Sequence, residues 1–158
     1  MAGIADSAAH RLLARMEGSW KGTARTWFEP GKLADTSPIA GVVRPVLEGR
    51  YVLHEYEGTL TGSRMLGWAL FGHDLQRKVY TMAWVDTGHM GTGTMLSEGA
   101  DGDADSFSVL GSYADPSGGP DWGWRTLVNV RDGLVITHFN ITPAGEEAPG
   151  VEIVYRRA

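Results

Sequence analysis

The sequence contains no cysteine among its 158 residues. Disulfide bonds, thiolate metal sites and cysteine nucleophiles are therefore excluded. Charged residues are also few, at 21% of the chain, and they leave a net charge of −5 rather than a basic excess. Because nucleic-acid binding relies on Lys and Arg against the phosphates, this balance argues against a nucleic-acid partner.

Long apolar runs are missing as well. No stretch approaches the roughly 18 residues of a membrane-spanning helix. The N-terminus lacks the basic segment followed by an apolar segment that is typical of a secretory signal. We therefore expect a cytoplasmic protein without a membrane partner.

Glycine and aromatic residues, by contrast, are abundant. The chain has 22 Gly, six Trp and five Tyr, without a low-complexity segment. Glycine is thus about twice as frequent as in an average protein, which indicates many turns. Together with the aromatic residues this composition favours an all-β fold. The length fits a single domain over residues 1–158.

One segment near the N-terminus has helical periodicity. Residues 7–16 predict a short helix that Asp6 or Ser7 caps and that Gly18 ends. Its apolar face carries Ala9, Leu12, Leu13 and Met16.

After Gly18 the apolar period changes to about two, which is typical of strands. Sequential hairpins, among them a tight turn at Asp132-Gly133, favour a closed antiparallel up-and-down barrel, since closure removes exposed edges. A barrel of this size encloses either a small ligand or its own side chains. About ten short strands are predicted: 19–28, 39–47, 50–60, 65–73, 78–86, 91–99, 105–113, 122–131, 134–142 and 151–157.

Two of these strands, 65–73 and 78–86, are apolar on both faces. One face of each lies in the barrel, so the other needs a cover. The helix or a second subunit would supply it, and the pattern therefore suggests a homodimer.

The start of the first strand resembles the G-x-W opening of lipocalin-like (calycin) barrels. It reads Gly18-Ser19-Trp20 and directly follows the predicted helix. In such barrels the Trp plugs one end and an Arg from a late strand lies over its ring. The resemblance implies these roles for Trp20 and for Arg156 or Arg125.

Several longer segments are similar to the bacterial domain-of-unknown-function family fifteen seventy-nine. They extend over nearly the whole chain, and His73 stands where the pattern has Tyr. The resemblance implies a lipocalin-like barrel and leaves the biochemical function open. The matching segments are 47–52 (LEGRYV), 67–74 (GWALFGHD), 80–86 (YTMAWVD), 90–93 (MGTG), 97–99 (SEG) and 152–156 (EIVYR).

Candidate ligand-binding residues come from strand faces that we expect to point inward. His54 and Tyr56 share one face of strand 50–60. Glu55 indicates that the other face meets water, so we expect His54 and Tyr56 to point inward. Tyr80 and Trp84 share a face of strand 78–86 and offer apolar area with a hydroxyl group. Packing of the same side chains in the core is the alternative for each.

Two further candidates lie late in the chain. Trp124 follows the long loop 115–121, where contact with a ligand is expected. His138 lies in a late strand. One imidazole is enough to ligate haem, as in nitrobindin-like barrels, which hold haem through one histidine near the C-terminal end. No motif specifies haem, so we assign no cofactor and keep a haem-binding barrel as an alternative.

Other polar clusters have simpler interpretations. The acidic loop 101–105 lacks the Glu that a calcium loop needs at its twelfth position, so it is a solvated turn. Asp86 either meets a ligand at the barrel mouth or accepts hydrogen bonds from the following turn. A metal cluster would require the ends of two hairpins to converge, bringing together His73, Asp74, Asp86 and His89.

Three functions remain open at this point. The first is a small-molecule-binding barrel with a small apolar ligand in its interior. The second is a structural or interaction domain whose barrel is filled by its own side chains. The third is an enzyme that uses an interior residue, namely His54, Tyr80 or His138, as an acid or base.

Overall fold

A computed structural model describes residues 4–158. Residues 1–3 of the expected domain lie outside this description. The first element is a 3-10 turn, Ile4–Asp6, and the helix α1 follows over Ala8–Ala14. Ser7 caps the helix, since its side chain accepts a hydrogen bond from the backbone N–H of His10 at 3.0 Å.

Ten strands follow and close into one antiparallel barrel, as predicted. Each strand pairs with its neighbours in sequence, and β1 pairs with β10. The strands are β1 Gly18–Glu29, β2 Lys32–Val46, β3 Tyr51–Leu60, β4 Ser63–Asp74, β5 Val79–Asp86, β6 Met95–Gly99, β7 Ser106–Tyr113, β8 Trp122–Asn129, β9 Leu134–Ile141 and β10 Glu147–Arg157.

Three strands begin well away from the predicted residue, and the other boundaries agree to within two residues. Strand β2 begins at Lys32 instead of 39, because Pro38 is accommodated within it opposite Thr23. Strand β10 begins at Glu147 instead of 151, since a register shift between Pro149 and Val151 absorbs the proline without ending the strand. Strand β6 begins at Met95 instead of 91, because the residues before it form turns.

Helix α1 covers one end of the barrel, which we call the closed end. Arg15 bonds Asp105 at 2.9 Å, and Nε2 of His10 donates to the carbonyl of Arg50 at 3.2 Å. The predicted apolar face of the helix is buried. Among the described residues, no helix has the length and apolar character that a membrane span requires.

Trp20 lies beneath this helix, where its indole N–H donates to the carbonyl of Met16 at 2.9 Å. Only 2% of its surface is exposed, in agreement with a plug. The cation over its ring is Arg157, whose guanidinium carbon lies 4.3 Å from the ring centroid. The expectation of Arg156 or Arg125 was wrong: Arg125 lies over Phe139 instead.

The opposite end, which we call the mouth, is formed by the loops after the odd-numbered strands β1 to β9. The core between the two ends is built from alternate side chains of every strand. On β4 the inward residues include Met65, Ala69 and Phe71, whereas Leu66 and Trp68 point outward.

Candidate functional site

All six predicted ligand-binding side chains are buried and point into the barrel. Five of them form one connected cluster that extends from His54 in the middle of the barrel toward the mouth, and Tyr80 lies apart from it. The six are His54, Tyr56, Tyr80, Trp84, Trp124 and His138.

The side chain of Tyr56 extends inside the barrel across β4 toward β5. Its hydroxyl donates to Oδ2 of Asp86 at 2.9 Å and accepts from Nε1 of Trp84 at 2.8 Å. The ring has this position because Tyr56 pairs with Gly67 on β4, where a Cβ atom would lie 2.1 Å from the ring. The phenol therefore occupies the space that any other residue at position 67 would need.

Asp86 ends β5 and collects four hydrogen bonds. Besides Tyr56, it accepts from the backbone N–H groups of His89 and Met90 and pairs with Nδ1 of His89 at 2.7 Å. Burial alone would raise the pKa of Asp86, but the hydrogen bonds and charge of His89, with the bond from Tyr56, lower it below its usual range. The structure confirms that Asp86 accepts hydrogen bonds from the following turn, whereas contact with a ligand at the mouth stays a prediction.

His89 is the residue at this site that the sequence assigned only to a metal cluster. Its ring leans against Trp84 and Trp124, with centroid distances of 5.5 and 6.5 Å. Its Nε2 is buried and has no hydrogen-bond partner. The spacing Asp86-x-x-His89 was the available signal, since it lets one side chain cap the turn and reach the imidazole.

His138 lies within a stack of aromatic rings. Its centroid is 5.1 Å from that of Trp84 and 5.4 Å from that of Trp124. Its Nδ1 accepts from Nε1 of Trp124 at 3.2 Å and from the hydroxyl of Thr126 at 2.8 Å. Burial lowers the pKa of His138 to about 3, so the ring is neutral with its proton on Nε2.

His54 forms a second buried pair, with Tyr155. Nε2 of His54 and the Tyr155 hydroxyl are 2.9 Å apart. Burial lowers the pKa of His54 to about 3 and raises that of Tyr155 above its usual range. Both groups are therefore neutral at pH 7, and their hydrogen bond satisfies polar atoms that water cannot reach.

Tyr80 belongs to the closed end instead. It stacks on Phe107 with a centroid distance of 4.3 Å and meets His73 edge-on at 4.7 Å. His73 and Asp74 also lie at that end, far along the barrel from Asp86 and His89. The structure does not bring the four together, and residues 4–158 hold no group of three or more side chains suited to a metal ion.

The barrel interior is filled by its own side chains. The cavity left inside measures about 10 Å³, which is the space of one water molecule. It has no room for haem or for an apolar ligand. Its walls are formed by His54, Tyr56, Ala69, Phe71, Met82, Trp84, Ile136, His138 and Ile153.

A larger cavity, which we call the mouth cleft, opens where β1 and β10 separate. Their pairing ends at Thr26 and Val151, since both strands have register shifts beyond this pair. The cleft measures about 360 Å³. It is lined by Trp27, Phe28, Glu29, Pro30, Trp122, Asn140, Thr142, Glu146, Glu147, Ala148 and Pro149.

The cleft combines aromatic rings with carboxylates. Two of its glutamates are paired, Glu29 with Lys32 at 2.9 Å and Glu147 with Arg125. Glu146 has no ion pair among the described residues. Its carboxylate therefore gives the rim one unpaired negative charge beside aromatic surfaces.

The cleft borders the aromatic stack described above. The ring of Trp124 lies against Gly150 on β10, where a Cβ atom would be 3.1 Å from it. Trp122, two residues earlier on the same strand, lines the cleft itself. The sequence identified this region through the loop 115–121 and its aromatic neighbours, but it could not show that β1 and β10 part here.

Two comparisons with known proteins are informative at this point. The family model described as "Protein of unknown function (DUF1579)" matches residues 5–157, which confirms the family resemblance seen in the sequence motifs. No curated protein matches the chain.

Proposed function

We propose that this chain, which belongs to the DUF1579 family of proteins of unknown function, binds a small organic molecule in the mouth cleft. The observation that carries the proposal is the cleft itself. At about 360 Å³ it falls in the size range of small-molecule sites, and aromatic side chains line it. The interior cavity of about 10 Å³ leaves no space for the interior ligand expected from the sequence.

The lining favours a ligand with an apolar body and a positively charged nitrogen. Phe28 and Trp122 offer ring faces that attract a cation as well as apolar area, whereas the ring of Trp27 already carries the guanidinium of Arg25 at 5.6 Å. Glu146 adds a carboxylate without an ion-pair partner. An anionic ligand would meet three glutamates here, so the same lining disfavours it.

Three probes of matched size test this proposal. Benzylamine carries a positive charge, benzyl alcohol is neutral and benzoate is negative. We expect benzylamine to shift the indole N–H resonance of Trp122 in titrations followed by NMR, with weaker effects of benzyl alcohol and none of benzoate. Equal affinity for all three would reject the cationic ligand, and no shift with any of them would count against the cleft as a site.

Variants locate the effect. Trp122→Leu should weaken benzylamine binding by removing a ring face, and Glu146→Gln should abolish the preference over benzyl alcohol. Glu48→Gln is the matched control, since Glu48 is an exposed glutamate at the closed end. It should leave both affinities unchanged.

A second candidate function is acid–base catalysis by His89. The buried Asp86 holds Nδ1 of this imidazole at 2.7 Å and leaves Nε2 free of protein partners. A carboxylate that fixes the tautomer and orientation of a histidine is the arrangement of a general base. Because Nε2 is buried, the turns over residues 87–92 would have to open before a water activated by Nε2 could act as the nucleophile in a hydrolytic reaction.

Hydrolysis of p-nitrophenyl acetate provides the test. A rate above the buffer background should be lost in His89→Gln and kept in His10→Gln, whose site is at the closed end. A rate that both variants keep, or none in the unaltered protein, would exclude this candidate.

Further assignments accompany the proposed function. The G-x-W opening, with a cation over the Trp20 ring at 4.3 Å, supports a lipocalin-like (calycin) relationship for the barrel. A bacterial, cytoplasmic protein accords with the sequence motifs and composition.

A further inference from the structure

The outer surface of the barrel has one continuous apolar face on β4, β5 and β6. We call it the β4–β6 face and define it by Leu66, Trp68, Leu70, Ala83, Val85 and Leu96. Cross-strand pairs make it continuous, because Trp68 lies beside Val85 while Ala83 lies between Leu70 and Leu96.

The exposure of this face is unusual for a sheet in water. Leu96 is 73% exposed and Trp68 is 57% exposed. Helix α1 does not cover it, since the helix packs at the closed end. Contiguous apolar surface with a prominent Trp is typical of an interface with another protein.

The shape of the face allows it to pair with itself. Trp68 lines one groove of the outer wall. This groove measures about 470 Å³, includes Val42 and Leu66 and extends to Ser19 and Lys21 on β1. A second groove measures about 340 Å³ and includes Leu70 and Leu96. A two-fold axis near Trp68 would place each indole in the groove of the other copy.

The charges around the face also suit two identical copies. Three ion pairs lie on the surrounding strands, Arg44 with Glu55, Arg64 with Glu57 and Arg77 with Glu98, at 2.7–2.9 Å. Each acidic group on this rim is matched by a basic one. Two copies can therefore approach here without like-charge repulsion, although the whole chain carries a net charge of −5.

The extent of the face matches the need of a dimer. With its rim it spans β2 to β6, which is about 20 Å at the usual strand spacing, measured along the curved wall of the barrel. A standard interface buries about 800 Å² on each partner, which is roughly a tenth of the 8732 Å² surface of this chain.

We propose that the β4–β6 face binds a second copy of this chain in a two-fold symmetric dimer centred on Trp68. The outward apolar residues of β4 and β5 are then explained by the interface, and both mouth clefts stay open, because each cleft lies at the mouth end of β1 and β10, away from Trp68.

Sedimentation equilibrium over a range of protein concentrations tests the dimer. The unaltered chain should have twice its monomer mass of 17.1 kDa. Trp68→Glu and Leu96→Glu should each shift it to the monomer, by at least a hundredfold in dissociation constant. Val154→Glu is the matched control, since Val154 is an exposed apolar residue on the outer face of β10.

A single cysteine gives an independent measurement. Because the chain has no cysteine, Val85→Cys would carry its only thiol beside an intact Trp68, and an axis near this pair predicts rapid disulfide-linked dimers under oxidation. Val154→Cys should not form disulfide-linked dimers under the same oxidation. A monomeric unaltered chain at every concentration would overturn the proposal and assign the face to a different partner. A dimer that survives both glutamate variants would place the interface elsewhere.

Discussion

Oδ2 of Asp86 and Nδ1 of His89 lie 2.7 Å apart at the mouth of the barrel, and the carboxylate of this pair is fully buried. The same oxygen accepts from Tyr56 on β3. One carboxylate thus joins two strands and the loop after β5. It fixes the wall of the barrel and the residues that close its mouth at the same time.

The first prediction concerns this carboxylate. Asp86→Asn keeps the size of the side chain but removes the charge that four donors share. Hydrogen bonds to a charged group are worth about 1.5–3 kcal/mol each, so we expect a loss of about 2–4 kcal/mol in urea unfolding at pH 7. Asp74→Asn is the control, since the partly exposed Asp74 also accepts two turn N–H groups and Asn can replace it there. Equal losses in both variants would contradict a special role for Asp86.

The difference in unfolding free energy between the unaltered protein and Asp86→Asn should depend on pH in a definite direction. The pKa of Asp86 is lower in the folded protein than its unfolded value of about 3.9. The ionised carboxylate therefore stabilises the fold above that value, and the contribution is lost as the pH falls through the folded pKa. The stability gap between the unaltered protein and Asp86→Asn should narrow below about pH 4.

The second prediction concerns the two neutral histidines. His54 and His138 have a pKa of about 3 in the fold and about 6.5 when unfolded. Between these values the unfolded chain binds one more proton at each site. Stability is complete above pH 6.5 and should fall by about 1.4 kcal/mol per pH unit for each histidine as the pH decreases toward 3.

Replacing one of these histidines isolates its contribution to the pH dependence of the unfolding free energy. In His54→Gln the slope of unfolding free energy against pH should decrease by the contribution of one proton, about 1.4 kcal/mol per pH unit. His138→Gln should behave in the same way. The double variant should flatten the slope further. Chemical denaturation at a series of pH values measures it, and an unchanged slope in both single variants would show that neither group is held neutral.

Much of the fold could be predicted from local pattern. The alternation His54, Glu55, Tyr56, Glu57 identified the inward face of β3 correctly, because only one face carries charge. On β4 and β5 both faces are apolar, and periodicity could not choose between them. The structure shows why: the outer face of these strands is the exposed β4–β6 face, which no part of residues 4–158 covers.

The candidate site was less accessible from the sequence. Five of the six candidate residues do cluster, since inward residues near one end of a barrel must meet. The free volume inside the barrel depends on how closely the large side chains of opposite walls pack. No single strand shows this. The mouth cleft likewise results from register shifts near Trp27 and Pro149, and these depend on pairing between strands distant in sequence.

The third prediction concerns the plug at the closed end. Trp20→Ala should destabilise the protein by about 3–5 kcal/mol, since it leaves a large cavity under the helix. Arg157→Met should cost about 0.5–1 kcal/mol through the lost cation–π contact. Arg156→Met is the control, because neighbouring residues on a strand point to opposite faces. Denaturant unfolding measures the unfolding free energy of all three variants. A larger loss for Arg156→Met than for Arg157→Met would mean that Arg156 is the arginine over the Trp20 ring.

The last prediction concerns the space beside Tyr56. Gly67 has no positive φ, so alanine fits its backbone conformation, yet the added Cβ would lie 2.1 Å from the Tyr56 ring. Gly67→Ala must therefore displace the phenol from Asp86 and Trp84, at a cost of about 1–3 kcal/mol for overpacking. Gly93→Ala is the control, since its nearest neighbour would be 3.4 Å away, and it should change stability by less than about 0.5 kcal/mol.

A double-mutant cycle separates the clash with Tyr56 from any general effect of alanine in β4. In a Tyr56→Ala background the ring is gone, so Gly67→Ala should cost less than it does in the unaltered protein. The indole N–H resonance of Trp84 reports the same event, since this group donates to the Tyr56 hydroxyl at 2.8 Å. It should shift in Gly67→Ala and not in Gly93→Ala. Additive costs with an unmoved Trp84 resonance would mean that the barrel wall yields at β4, and that the hydrogen bonds to Asp86 do not depend on the missing side chain at position 67.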